Sequence, residues 1–177
     1  LPELSRVNIQ KMMKVGFEQI NLELPPEWQK FTQERNFTAI ENFYKEDLET
    51  NGTIKRLSDH VFSLLSIQGE PQVEHMLALR SGPEDEEMEG IWHDDSSRHF
   101  AISLSLSLEP QEIEGGELEI RPLKSTIAAF SLPGTRPFGQ ATVFLTGKYG
   151  FEHRTRRVTA GNRLVLVIWV SSSIEGK

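Results

Sequence analysis

From Gly69-Glu70-Pro71 to the end of the chain, short apolar or alternating segments are separated repeatedly by glycine, proline or acidic turns. This rhythm restricts the fold more than any other feature. Residues 73–80, 100–108, 117–121, 126–130, 141–145 and 163–171, with shorter pieces around Trp92 and His153, each read as a strand. About eight strands in roughly a hundred residues predict a jelly roll or a β-sandwich. The run from Leu164 to Val170 is apolar on both faces, as a buried central strand requires.

The first 70 residues have a different character. Ile20, Leu22 and Leu24 alternate, which predicts a strand over 15–24 ending at Pro25-Pro26. Trp28, Phe31, Ile40 and Phe43 then recur at helical spacing from Pro26 until Asn51-Gly52 breaks the pattern. A further helix is expected over 53–66, with Ile54, Leu57, Val61, Leu64 and Leu65 on one face. The expectation is an α+β chain, mainly β. Residues 1–177 form one domain, in which 1–70 are a helical support packed on the outside of one sheet and 71–177 are the β core.

Composition narrows the function. A net charge of -7 repels a phosphate backbone, and Arg154, Arg156 and Arg157 make too short a cluster to reverse it, so no nucleic-acid partner is expected. No apolar run approaches bilayer length, so no membrane-spanning segment is expected either. The chain has no cysteine, and any metal must therefore be held by nitrogen and oxygen. These points do not fix a compartment, and a cytoplasmic setting is the default expectation.

His93-Asp94-Asp95 is the first candidate for chemistry. In an extended segment residues two apart share a face, so His93 and Asp95 can present an imidazole and a carboxylate to one ion. With 5 histidines and 26 acidic residues in the chain, about 0.7 such triplets arise by chance, so other signals must agree. His153, after the strand-like 141–145 and a glycine-containing loop, can complete a triad of two histidines and one carboxylate. The alternative is a structural or solvated histidine. Arg163 opens the apolar strand, where it either reaches solvent or turns inward as a bidentate fork for a carboxylate. The segment 101–108 alternates aliphatic residues with small hydroxyls. Ser103 and Ser105 either face a cavity, leaving room for a ligand and donating to its carboxylate, or form an exposed face. The acidic run 84–87 reads as a mobile loop entering the metal site.

The order of His93-x-Asp95, Ile113-Glu114-Gly115-Gly116-Glu117-Leu118, Val143-Phe144-Leu145, His153, and Gly161-Asn162-Arg163 with Trp169 six residues on resembles the 2-oxoglutarate/iron(II) dioxygenases of the prolyl-hydroxylase type. The resemblance spans about residues 73–171. It implies a double-stranded β-helix, the cupin-like jelly roll, with His93, Asp95 and His153 as iron(II) ligands. Arg163 would hold the C5 carboxylate of 2-oxoglutarate, O2 would be the second co-substrate, and ascorbate would serve as reductant. Arg80 stands where many prolyl hydroxylases carry a tyrosine that contacts the co-substrate, and Ser105 lies near where some relatives place a larger hydroxyl-bearing side chain. Asp95 is present, so the halide exchange of related halogenases is not expected. Arg98 and His99 either line the substrate mouth or are solvated.

The activity implied is hydroxylation of a protein or peptide side chain, proline first, coupled to conversion of 2-oxoglutarate to succinate and CO2. Three alternatives remain open at this level: a small-molecule substrate such as a free amino acid, a catalytically silent metal-binding module, and a cupin-like enzyme that does not use 2-oxoglutarate. The oligomeric state is left open.

Overall fold

The structure, a computed structural model, describes residues 4, 7–83, 90–126 and 128–174. Among these residues the helices are α1 (Ile9–Val15), α2 (Pro26–Gln33), α3 (Phe37–Glu49) and α4 (Thr53–Leu64), with β1 (Phe17–Asn21) between the first two. Then come β2 (Pro71–Gly82), β3 (Phe100–Ser105), β4 (Glu114–Gly115), β5 (Leu118–Pro122), β6 (Phe130–Leu132), β7 (Gln140–Leu145), β8 (Phe151–Thr155) and β9 (Val158–Ser172). The larger antiparallel sheet runs β1-β7-β3-β9-β2, with β4 also on β9. The smaller runs β6-β5-β8 and is extended by a single bridge between His153 and His93.

The pleat divides the larger sheet into two chemically different faces. Phe100, Ile102, Leu104, Leu164, Leu166, Ile168 and Val170 are buried in one apolar cluster with Trp28, Ile40, Ile54, Leu57 and Val61 of the helices. Tyr44 of α3 meets His75 of β2 edge-on at 5.1 Å, which fixes the helical layer on this side. Ser103, Arg163, Val165, Val167 and Trp169 point to the other face and line a cavity together with Leu118, His153 and Thr155 of the smaller sheet. The expected arrangement, helices outside one sheet of a mainly β fold, is the observed one.

Several elements differ from expectation for local reasons. Residues 9–15 are helical, and Gly16 closes that helix at φ 92, so β1 begins only at Phe17. The single helix expected between Pro26 and Asn51 is two. Arg35 turns the chain at φ 51, and the Asn36 side chain accepts from Ala39 N to start α3 afresh. The strand expected over 126–130 is displaced to Phe130–Leu132. The last strand is longer than expected, beginning at Val158. The acidic run 84–87 lies outside the described residues. No helix among the described residues is long and apolar enough to cross a membrane.

Candidate metal centre

Three donor side chains distant in sequence converge at the mouth of the cavity. One ligand atom each from His93, Asp95 and His153 lies within 4.8 Å of the others. Asp95 Oδ2 is 3.3 Å from His153 Nε2 and 3.8 Å from His93 Nε2. Backbone pairing brings the histidines together, because His93 N donates to His153 O and His153 N donates back to His93 O. Their rings meet edge-on at 4.2 Å, and Phe144 backs His153 at 4.6 Å. The carboxylate arrives by a different route from the one expected. Asp95 has φ 46, so a left-handed turn, not a continued strand, swings it toward His93. Asp94 turns aside and accepts from Ser96 N.

The surroundings prepare these groups to bind a cation. His93 Nδ1 lies 2.8 Å from Ile91 O, which makes Nδ1 the donor and turns Nε2 toward the Asp95 carboxylate. Burial holds His153 below its usual pKa, against the pull of Asp95. Burial works against the charged form of Asp95. The hydrogen bond from His153 and the charges of His153, His93 and Arg98 outweigh it and hold the carboxyl below its ordinary range. Two imidazoles and one carboxylate are a donor set that fits a divalent ion in an arrangement with coordination positions left open.

The same cavity, of about 170 Å³, is also lined by Arg163 and Arg80, directly opposite each other on β9 and β2. Arg163 is 4% exposed, which closes the solvent alternative, and its buried Nε has no hydrogen-bond partner. Gly116, at φ +70, leaves the space its stem needs, since a Cβ there would come within 2.7 Å of Arg163 Cδ. Burial first, then the charges of Arg136 and Arg80, push Arg163 down to about 9, while Glu117 opposes them. Arg163 thus lies beside Val165 and Val167 with an Nε–H that no protein group accepts.

The column of small hydroxyls does face inward, as Ser103, Ser105 and Ser107 are all buried. Ser103 lines the cavity, and the chain itself also packs against this column. Arg136, from the loop between β6 and β7, donates to Ser103 O, Ser103 Oγ and Thr142 Oγ1 at 2.9, 2.8 and 2.7 Å. Ser105 Oγ donates to Arg136 O. The hydroxyls of Ser103 and Ser105 thus engage Arg136, and Ser103 Oγ, which accepts there, keeps its own O–H as a donor. Arg136 went unnoticed in the sequence because it sits in a turn-rich loop, Pro133-Gly134-Thr135-Arg136-Pro137, that matches no motif. Arg98 stands at the cavity mouth, its Nη1 3.6 Å from Asp95 Oδ1 and its guanidinium 4.7 Å over the Trp169 ring. His99 lies against Tyr149 instead.

Two facing antiparallel sheets with a His-x-Asp…His cluster at the mouth define the double-stranded β-helix of the 2-oxoglutarate/iron(II) oxygenases, and this is the fold of the chain. It is similar to a prolyl-4-hydroxylase from Pseudomonas putida, at 19% identity and TM-score 0.64 over 98% of this chain and 93% of that one. It is also similar to a prolyl hydroxylase from Trichoplax adhaerens, solved with a peptide fragment of the hypoxia-inducible-factor oxygen degradation domain. That match has 17% identity and TM-score 0.57 over 96% and 89% of the two chains. An oxidoreductase of the 2OG-Fe(II) oxygenase family from Burkholderia pseudomallei matches 66% of this chain at 16% identity and TM-score 0.50, and this chain covers 50% of its length. No family model matches the sequence, and no match emerges among curated proteins.

Proposed function

We propose that this chain is an iron(II)- and 2-oxoglutarate-dependent oxygenase that hydroxylates a peptide or protein side chain, proline first. One observation carries the reading. A two-histidine, one-carboxylate cluster opens onto the same cavity as a buried arginine whose Nε lacks a partner. His93, Asp95 and His153 would hold the metal, and Arg163 the distal carboxylate of 2-oxoglutarate. Bound iron(II), with 2-oxoglutarate and O2, supplies the oxidising power for oxygen insertion into a C–H bond while the co-substrate becomes succinate and CO2.

The chain's own part is binding, orientation and exclusion of water. Ile91 O fixes the tautomer of His93, and Arg98 supports the second oxygen of Asp95. Leu118, Phe144, Val165, Val167 and Trp169 supply apolar lining to the cavity that the metal ligands and Arg163 share, which would limit the access of bulk water to the reacting atoms. In this reading residues 1–177 act as one unit, with 1–70 supporting the β core. The peptide choice draws support from the peptide-bound Trichoplax adhaerens relative.

The test is mass spectrometry of proline-containing peptides incubated with iron(II), ascorbate and 2-oxoglutarate, with succinate measured in parallel. A gain of one oxygen atom on the peptide and matching succinate are expected. Turnover with free amino acids but never with a peptide would overturn the substrate choice. Absence of both metal uptake and succinate would overturn the oxygenase reading. Arg163→Gln should weaken 2-oxoglutarate binding roughly 10- to 100-fold, the worth of a charge-assisted bidentate contact.

A further inference from the structure

More positive charge is buried in and behind the cavity wall than one distal carboxylate requires. Arg136 is 3% exposed, and the groups that receive its hydrogen bonds are all neutral: one carbonyl and two hydroxyls. Neutral acceptors hold a guanidinium in place without cancelling its charge. Among the described residues the only buried carboxylate is Glu18. It lies on the helix-facing side of the larger sheet, beside Val143, and pairs with Lys11. Glu117 gives Arg163 partial compensation. Burying one uncompensated cation is costly, and placing a second within reach of its field costs more.

The position of Arg136 is set by the fold. Ser103 and Thr142 are cross-strand partners on β3 and β7, and the Arg136 guanidinium bridges them. Ser105 holds the loop on both sides, donating from its hydroxyl to Arg136 O and accepting Gly139 N at its own carbonyl. Ser103, Ser105, Arg163 and Val165 share the cavity-facing side, and Ser105 is opposite Val165, two residues from Arg163. Arg136 does not line the cavity itself. It stands behind Ser103, which does. A structural bracket between β3, β7 and the loop needs hydrogen-bond donors, of which a glutamine would supply two of the three, but it does not need a charge. The charge is therefore the feature that calls for a function.

We propose that Arg136 is a positioning and specificity residue for the co-substrate: its fixed, uncompensated charge behind Ser103 reinforces Arg163 and makes the pocket select a 2-oxo acid with a distal carboxylate over one without. The inference rests on the oxygenase reading above and deepens it. Acting across Ser103, the second cation contributes roughly tenfold to that discrimination at the effective dielectric of a protein interior.

The test compares 2-oxoglutarate with pyruvate, which shares the 2-oxo acid head but lacks the distal carboxylate. Calorimetric titration of the Mn(II)-loaded protein gives both affinities for wild type, Arg136→Gln, Arg136→Lys and Arg163→Gln. Arg136→Gln should weaken 2-oxoglutarate roughly tenfold while Mn(II) and pyruvate affinities stay within about twofold, and Arg136→Lys should restore most of the loss. An unchanged ratio of the two affinities in Arg136→Gln would reduce Arg136 to a bracket and overturn the proposal. Should Arg136→Gln fail to fold, wild type decides with 2-oxoglutaramate, whose distal amide accepts hydrogen bonds but carries no charge. A loss of more than about 100-fold, beyond what Arg163 alone accounts for, is expected when Arg136 adds its charge, and a smaller loss contradicts the proposal. A wild-type protein that takes up Mn(II) but binds neither acid, or whose 2-oxoglutarate affinity survives Arg163→Gln, would instead refute the co-substrate reading itself.

Discussion

Arg98 joins three groups that belong to different parts of the cavity mouth. Its guanidinium lies near Asp95 Oδ1, contacts Glu74 Oε2 at 3.3 Å and covers the Trp169 ring. Asp95 would give one oxygen to a metal, so the group that steadies its other oxygen sets how often the carboxylate is aimed correctly. Arg98→Ala should lower Mn(II) affinity roughly 10- to 100-fold, read by metal titration. The metal-free protein should unfold at nearly the same temperature, because partly exposed ion pairs contribute little to stability. Undiminished affinity would confine Arg98 to the substrate mouth. At this scale the candidate site was partly legible in the sequence. Arg163 stood out because a charge opening a strand apolar on both faces demands an explanation. Arg136 did not, because its burial arises only when the loop folds back onto Ser103 and Thr142, and nothing in 133–137 foretells that contact.

The smaller sheet is held from outside as well as from within. Trp92 points outward where His93 points in, and its ring lies beneath Arg121 at 3.8 Å and Arg154 at 4.8 Å. Those arginines pair with Glu152 and Glu119 on the neighbouring strand at 2.6 and 2.7 Å. The lattice thus clamps the one-residue bridge that sets His93 beside His153. Trp92→Ala removes two cation–π contacts of about 0.5–1 kcal/mol each, so denaturant unfolding should report a loss of about 1–2 kcal/mol, together with weaker Mn(II) binding. A stability loss with unchanged metal affinity would show that the bridge holds without the clamp. Elements bounded by clear punctuation were legible in advance, such as β3 and β7, or α4 after Asn51-Gly52. The break between α2 and α3 was not, since Arg35 adopts a left-handed conformation with no glycine or proline to announce it. The approach of Asp95 was hidden for the same reason: alternation correctly paired it with His93, but a turn at φ 46 is what brings them together.

At the scale of the whole molecule, the larger sheet is shared between two tasks. Its Ile102 and Leu166 face is sealed by the helices, and its Ser103 and Arg163 face carries the cavity. The same strands build the core and the site, so ligand binding should couple to global unfolding, not to a local loop. The chain is acidic overall, at net charge -7, yet its cavity buries Arg163 with Arg136 behind it. Unliganded, it bears the cost of those cations, and under the proposed reading a bound dicarboxylate would relieve part of it. A ligand present at 100 times its Kd stabilises the native state by about 2.7 kcal/mol, which for a chain of this length corresponds to a rise of about 5–10 °C in Tm. Mn(II) with saturating 2-oxoglutarate should produce a shift of this size under anaerobic conditions, beyond the shift from Mn(II) alone. The same 2-oxoglutarate concentration without metal should give a much smaller one, because only one end of the molecule is then held. Arg163→Gln should keep the Mn(II) shift and lose the increment from 2-oxoglutarate. Equal stabilisation by 2-oxoglutarate with and without metal would mean that the acid binds away from His93, Asp95 and His153, and that the two ends of this cavity do not form one site.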